Sequence, residues 1–338
     1  KNKKKITILY IGNNLSVDNK YVTMMDTLSN LLIKERYEVI KRSNNKNKFL
    51  RLISMCWAVF SIKSNYILID TFSTQNFYYA YITSQIARFL KRKYIPILHG
   101  GNLPKRIDKS KKMANQIFNN SYKNVAPSLY LKTELENRDY KVDFIPNVIE
   151  VKDYNFKERK KIRERILWVR AFRKLYNPTM AIETLKLVKK KYPNACLCMV
   201  GPVKDESFEE TQNLVKQYNL QDSVEFTGLL EKKQWCKKAE EFDVFINTTN
   251  IDNTPVSVIE AMALGLIVIS TNAGGLPYLI DHNIDGVIVN KNDIKAMSKA
   301  IEEVLEKEKN INLIKNAREK ALSFSWDNVK NKWLSILN

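Results

Sequence analysis

Two carboxylates, Asp252 and Glu260, stand eight positions apart in the stretch 247–280. By residue type alone such a pair suits general acid and base work. The local pattern narrows this. Residues 244–247 read as a strand, 248–254 as a loop, and 255–264 as a helix opening at Pro255, where proline suits the first helical position and Asn253 or Thr254 is placed to cap it. The unpaired N–H groups of Val256 and Ser257 then form an anion site that a diphosphate fits, favoured by the helix dipole. Within the helix Ser257 and Glu260 are the only polar side chains, three apart on one stripe. A buried carboxylate needs partners, and a ribose diol would supply two hydroxyl donors; a lysine partner or a narrow solvated face serves equally well.

Other candidate groups also follow predicted strands. Gly274-Gly275, after the strand 267–270, lets backbone approach a ligand closely. His99, one of two histidines, ends the strand 94–98 and precedes Gly100-Gly101. Gly12-Asn13-Asn14 forms the turn after the first strand. In open α/β sheets ligands bind beyond the carboxyl ends of the strands, so these loops are where chemistry is expected.

The elements that must position these groups alternate. Residues 6–11, 37–40, 66–70, 94–98, 124–127 and 143–146 read as strands, with helices near 20–33, 48–62, 75–90 and 129–137. A charged run without apolar periodicity, 151–165, reads as a linker. Beyond it strands at 166–169, 195–200, 223–227, 244–247, 267–270 and 287–289 alternate with helices near 178–190, 207–217, 232–241, 255–264 and 293–306. The pattern predicts two doubly wound parallel-sheet domains, 1–150 and 166–325, facing across a cleft, and a last helix, 326–338, able to pack back on the first.

The net charge of +20 is uneven, because residues 1–150 hold 26 Lys/Arg against 11 Asp/Glu and the remainder 30 against 25. The basic front half suits phosphorylated substrates, anionic lipid or nucleic acid, or reflects no more than Lys-rich composition. Cys56, Cys196, Cys198 and Cys236 lie in apolar or helical patterns without metal-ligand spacing, so no metal site and a reducing cytoplasm are expected. The basic start and short apolar run 6–11 do not make a signal peptide, and no run approaches the ~20 residues of a membrane span. The helix 48–62, with Arg51 and Lys63 bordering the apolar run 52–60, is read as a core helix in preference to a membrane-interface one.

The stretch NTTNIDNTPVSVIEAMALGLIVISTNAGGLPYLI resembles the signature of family-four retaining glycosyltransferases, which have the two-Rossmann-domain GT-B architecture. Ile145-Pro146-Asn147 and ILWVRAFRKLYNP (166–178) extend the resemblance over most of the chain. It implies that Glu260 holds the donor ribose and that Asp252, where the family usually has Glu, contacts the transferred sugar. The family's basic loop carries Arg and Lys at the positions of Ala171 and Tyr176, so Arg170, Arg173 and then Lys174 are the substitutes expected to grip the diphosphate. Leu230 falls in the base-binding loop, Thr254, Pro255, Val256 and Ser257 at the phosphate, Gly12 near sugar and acceptor, and His99 beside the sugar.

The resemblance implies retaining transfer from a nucleotide-diphosphate sugar to a saccharide or polyprenyl-diphosphate-linked acceptor in cell-surface polysaccharide synthesis. The absence of an Asp-x-Asp motif and of a His cluster adds metal independence, with no cofactor. A cytoplasmic enzyme, peripheral on the inner face of the plasma membrane, and no nucleic-acid partner are expected. The rival readings are a nucleic-acid-binding α/β protein, without a recognised aromatic-basic motif, a GT-B epimerase or inverting transferase, and a relative that has lost activity.

Overall fold

The computed structural model describes residues 5–12, 23–42, 47–306 and 310–338. Asn13, Asn14 and the predicted helix start at Lys20 lie outside them. The chain divides into two compact units, 1–148 with 326–338, and 149–325.

In the first unit the apolar runs form β1 (Thr7–Ile11), β2 (Glu38–Arg42), β3 (Tyr66–Thr71), β4 (Lys93–Leu98), β5 (Val125–Ala126) and β6 (Asp143–Phe144). They pair in parallel in the order β2-β1-β3-β4-β5-β6. Every residue of β3 is buried, as expected of a central strand covered on both faces. The helices are α1 (Met24–Lys34), α2 (Lys48–Ser61), α3 (Asn76–Phe89), α4 (Leu103–Lys109), α5 (Lys111–Phe118) and α6 (Leu129–Glu136). Sequence reading missed α4 and α5, because their buried residues (Leu103, Ile107, Ala114, Ile117, Phe118) are spread through a lysine-rich stretch broken at Ser110. Helix α2 departs from the core reading: Arg51, Met55, Ala58 and Val59 are buried, while Phe49, Trp57 and Phe60 face solvent.

The second unit repeats the plan with β7 (Arg165–Val169), β8 (Cys196–Val200), β9 (Val224–Gly228), β10 (Val244–Asn247), β11 (Ile267–Thr271) and β12 (Val287–Val289). Their order is β12-β11-β10-β7-β8-β9, again parallel. The helices are α7 (Pro178–Val188), α8 (Ser207–Gln217), α9 (Lys232–Ala239), α10 (Val256–Ala263), α11 (Leu276–Leu279), α12 (Ile294–Glu306) and α13 (Ile311–Ser323). The last helix, α14 (Trp326–Leu337), groups with the first unit, where Val329, Trp333, Ile336 and Leu337 share a core with Ile8, Tyr10 and Leu68.

The run 151–165 is not a free linker but is anchored to the second unit. Arg159 is 3% exposed, donates to the carbonyls of Phe242 (2.9 Å), Lys157 (3.0 Å) and Leu264 (2.9 Å), and pairs with buried Asp243 at 3.1 Å. A charge pattern that looks solvated is here used to bind backbone carbonyls, which makes the run part of the second unit. No described helix is long and apolar enough to cross a membrane.

Candidate functional site

In the second unit the loops beyond β7, β10 and β11 are stitched together by buried hydroxyls. Trp168 Nε1 donates to Thr248 Oγ1 (3.0 Å), which donates to the Tyr176 carbonyl (2.8 Å), and Thr271 Oγ1 donates to the Thr249 carbonyl (2.6 Å). Asp252 hangs from this frame. Its carbonyl accepts from Gly275 N (3.1 Å) and its Oδ1 from Asn253 N (2.8 Å). Gly274 has φ +54°, and a Cβ there would collide with the Asp252 carbonyl, so glycine at 274 is a requirement of this loop.

Arg170, just past β7, forms an ion pair with Asp252 and lies over the Tyr176 ring at 4.4 Å. Tyr176, at the position where a lysine was expected, is therefore a shelf for the neighbouring cation. Burial lowers the Arg170 pKa, yet a guanidinium keeps its proton. Nη2 of Arg170 faces Oδ2 of Asp252, while the Arg170 Nε is buried without a hydrogen-bond partner. Such a donor suits an incoming oxyanion. Arg173 is exposed in the same loop, whereas the Lys174 ammonium is engaged by Glu206 (2.9 Å) and Glu210 (3.2 Å) on the surface.

Helix α10 begins one residue later than its sequence implies. Pro255, with ψ 118°, occupies the capping position, and no side chain caps the helix, which corrects the role expected of Asn253 or Thr254. Thr254 is half-buried in the approach, and Val258 N bonds back to the Pro255 carbonyl (3.1 Å). The N–H groups of Val256 and Ser257 carry no hydrogen bond among the described residues, and Ser257 Oγ is buried without a partner. One turn on, Glu260 Oε1 accepts from the Tyr154 hydroxyl at 2.5 Å. Burial pushes the Glu260 pKa up to about 7, opposed by the Tyr154 hydrogen bond and by Lys232, whose ammonium lies 4.6 Å over the Tyr154 ring. Tyr154 was missed in sequence because it sits in the run taken for a linker. Leu230, beyond β9, is half-buried against the core that carries α10.

In the first unit His99 ends β4 and its Nε2 lies 2.9 Å from Asp70 Oδ1, which also accepts from the Tyr10 hydroxyl at 3.0 Å. A carboxylate only accepts, so Nε2 carries the proton. The Phe72 ring stacks on the imidazole at 4.6 Å. Gly12 is packed so close to Asp70 that a Cβ would collide with the carboxylate. His99 and Tyr10 line a pocket together with Pro146 and Asn147. Sequence reading missed Asp70, although a lone carboxylate closing an apolar strand at its carboxyl end was a usable signal. The four cysteines are free, and no described cluster of three or more His, Cys, Asp or Glu could hold a metal ion.

Two successive doubly wound parallel sheets, with the acidic and basic groups on the loops beyond their strands, define a protein of the GT-B class. The chain belongs to the glycosyl transferases group 1 family, whose model matches residues 151–320. It is similar to the GDP-Man:Man(3)GlcNAc(2)-PP-Dol alpha-1,2-mannosyltransferase of Dictyostelium discoideum, 29% identical over 52% of this chain and 37% of that protein. It is also similar to the amylovoran biosynthesis glycosyltransferase AmsK of Erwinia amylovora, 26% identical over 44% of this chain and 38% of the relative. The matches thus span well under half of those relatives' lengths. Among solved structures, sucrose-phosphate synthase from Thermosynechococcus elongatus superposes with a TM-score of 0.80 at 16% identity, covering 98% of both chains. HepE of Anabaena in complex with UDP-glucose gives 0.76 at 15% identity, over 98% of this chain and 99% of that one.

Proposed function

We propose that this chain is a retaining glycosyltransferase that moves a sugar from a nucleoside-diphosphate donor to a saccharide or polyprenyl-diphosphate-linked saccharide acceptor in cell-surface glycoconjugate synthesis. The observation that carries the reading is α10, which offers free N–H groups at its start and a half-buried carboxylate one turn on. The first suits the diphosphate and the second the ribose diol.

In the proposed reaction the bond between the anomeric carbon and the diphosphate oxygen breaks, the acceptor hydroxyl bonds to that carbon from the same face, and its proton passes to the departing phosphate. Negative charge builds on the leaving group. Arg170, with its unpartnered Nε, Arg173 and the α10 N-terminus are the proposed stabilisers. For Arg170 to serve, its pairing with Asp252 gives way to the phosphate, which frees Asp252 to meet a sugar hydroxyl. His99, oriented by Asp70, is the second proposed sugar contact. No step calls on a metal ion. A lipid-linked acceptor would be met at the cytoplasmic face of a membrane.

A thermal-shift and hydrolysis screen against uridine-, guanosine- and adenosine-diphosphate sugars, with and without chelator, tests this. One nucleotide series should stabilise the protein, Glu260→Ala should abolish that shift, and chelator should leave turnover intact. Equal donor binding by Glu260→Ala refutes the ribose assignment, and loss of turnover in chelator refutes the metal-free reaction.

A further inference from the structure

Helix α2 packs on the first unit's core through Met55, Ala58 and Val59, and presents Phe49, Leu50, Ile53, Trp57 and Phe60 to solvent. Positions 49, 53, 57 and 60 form one helical stripe, and Phe49 (69%), Trp57 (65%) and Phe60 (60%) are among the most exposed apolar side chains described. Both ends of the helix are pinned. Asn47 Oδ1 accepts from Phe49 N (2.9 Å) and Leu50 N (3.2 Å), and Arg92 Nη1 donates to the carbonyls of Val59 (2.6 Å) and Ile62. The stripe is therefore a built surface. Single exposed apolar residues are ordinary, but a contiguous aromatic stripe marks an interaction site.

Charge says what covers it. From residue 39 to residue 107 the chain holds twelve Lys/Arg and one acidic residue, Asp70, which is buried against His99 and Tyr10. No carboxylate is exposed in α2, in α3 beside it or in the loops between them. Lys48 and Lys63 flank the stripe, and Arg88, Phe89 and Lys91 are exposed where α3 ends. A surface of this charge repels a second copy of itself and attracts anions. Fourteen residues are too few to span a bilayer, and an aromatic face rimmed by cations suits the headgroup boundary.

We propose that α2 is an interfacial anchor that lays the first unit on an anionic lipid bilayer, Trp57 and Phe60 entering the headgroup boundary and the flanking lysines meeting lipid phosphates. This deepens the proposed function by naming the surface on which a lipid-linked acceptor is met, and rests on that reading only for its purpose.

The test is co-sedimentation of the whole chain with vesicles of phosphatidylcholine, alone or mixed with phosphatidylglycerol. The chain should pellet with the mixed vesicles only. Trp57→Ser with Phe60→Ser should lower vesicle partition roughly tenfold or more at an unchanged melting temperature. Lys48→Gln with Lys63→Gln should also weaken it and flatten its salt dependence. Three results overturn the proposal: wild type left in the supernatant, the aromatic double variant pelleting like wild type, or a wild-type dimer in light scattering that the same variant dissolves. Nucleotide binding measured on the same preparations keeps the readings apart, because donor binding without vesicle binding refutes the anchor alone.

Discussion

Glu260 is the residue whose meaning the fold changes most. Its carboxyl, ordinarily near 4.5, is raised to about 7 because burial outweighs the Tyr154 hydrogen bond and the nearby Lys232. Between those values the folded protein holds a proton that the unfolded chain has lost, so stability is greatest below the unfolded value and falls as pH rises through about 7. Glu260→Gln removes the cost of ionisation. The ligand-free variant should be more stable than wild type at about pH 8, by roughly 3 kcal/mol, and match it at about pH 4. A melting curve series against pH checks this, and parallel curves for the two proteins would refute it. The spacing of Asp252 and Glu260 was plain in sequence, but Tyr154 and Arg170 as their partners were not, since each partner lies more than eighty positions away.

At the scale of elements, period-two and helical patterns located most strands and helices to within a few residues, because apolar strands covered on both faces are conspicuous in sequence. Helix α13 escaped because its buried stripe is Ile314, Ala317 and Ala321, two of them too small to stand out. The Gly274-Gly275 loop is the element on which the site most depends. Gly274→Ala forces a side chain into the left-handed region and against the Asp252 carbonyl, costing at least about 1–2 kcal/mol from backbone conformation alone. Urea denaturation should show that loss, and nucleotide affinity should fall at temperatures where the variant is still folded. Unchanged affinity would detach this loop from the site.

Over the whole molecule each unit has its own core, and α14 belongs to that of the first despite standing at the other end of the chain. Trp333 is 3% exposed within that core. Trp333→Ala should destabilise the first unit by about 3–5 kcal/mol. Hydrogen exchange should then accelerate in β1–β4 while β7, β8 and β10 keep their protection; equal acceleration in both units would refute separate cores. The charge surplus of the front half, legible from composition, acquired a location only when the fold placed lysines at the ends of an exposed aromatic helix.

Class, strand order of appearance and the carboxylate-bearing helix were determined by the sequence itself, because periodicity and helix-start chemistry are local properties of a chain. Tertiary structure decided which charges are partnered. It tied the run 151–165 to the second unit through buried Arg159, set Tyr176 beneath Arg170, gave Glu260 the Tyr154 hydroxyl and paired His99 with Asp70. The cost of burying a charge depends on neighbours brought from distant positions, and no local pattern encodes them.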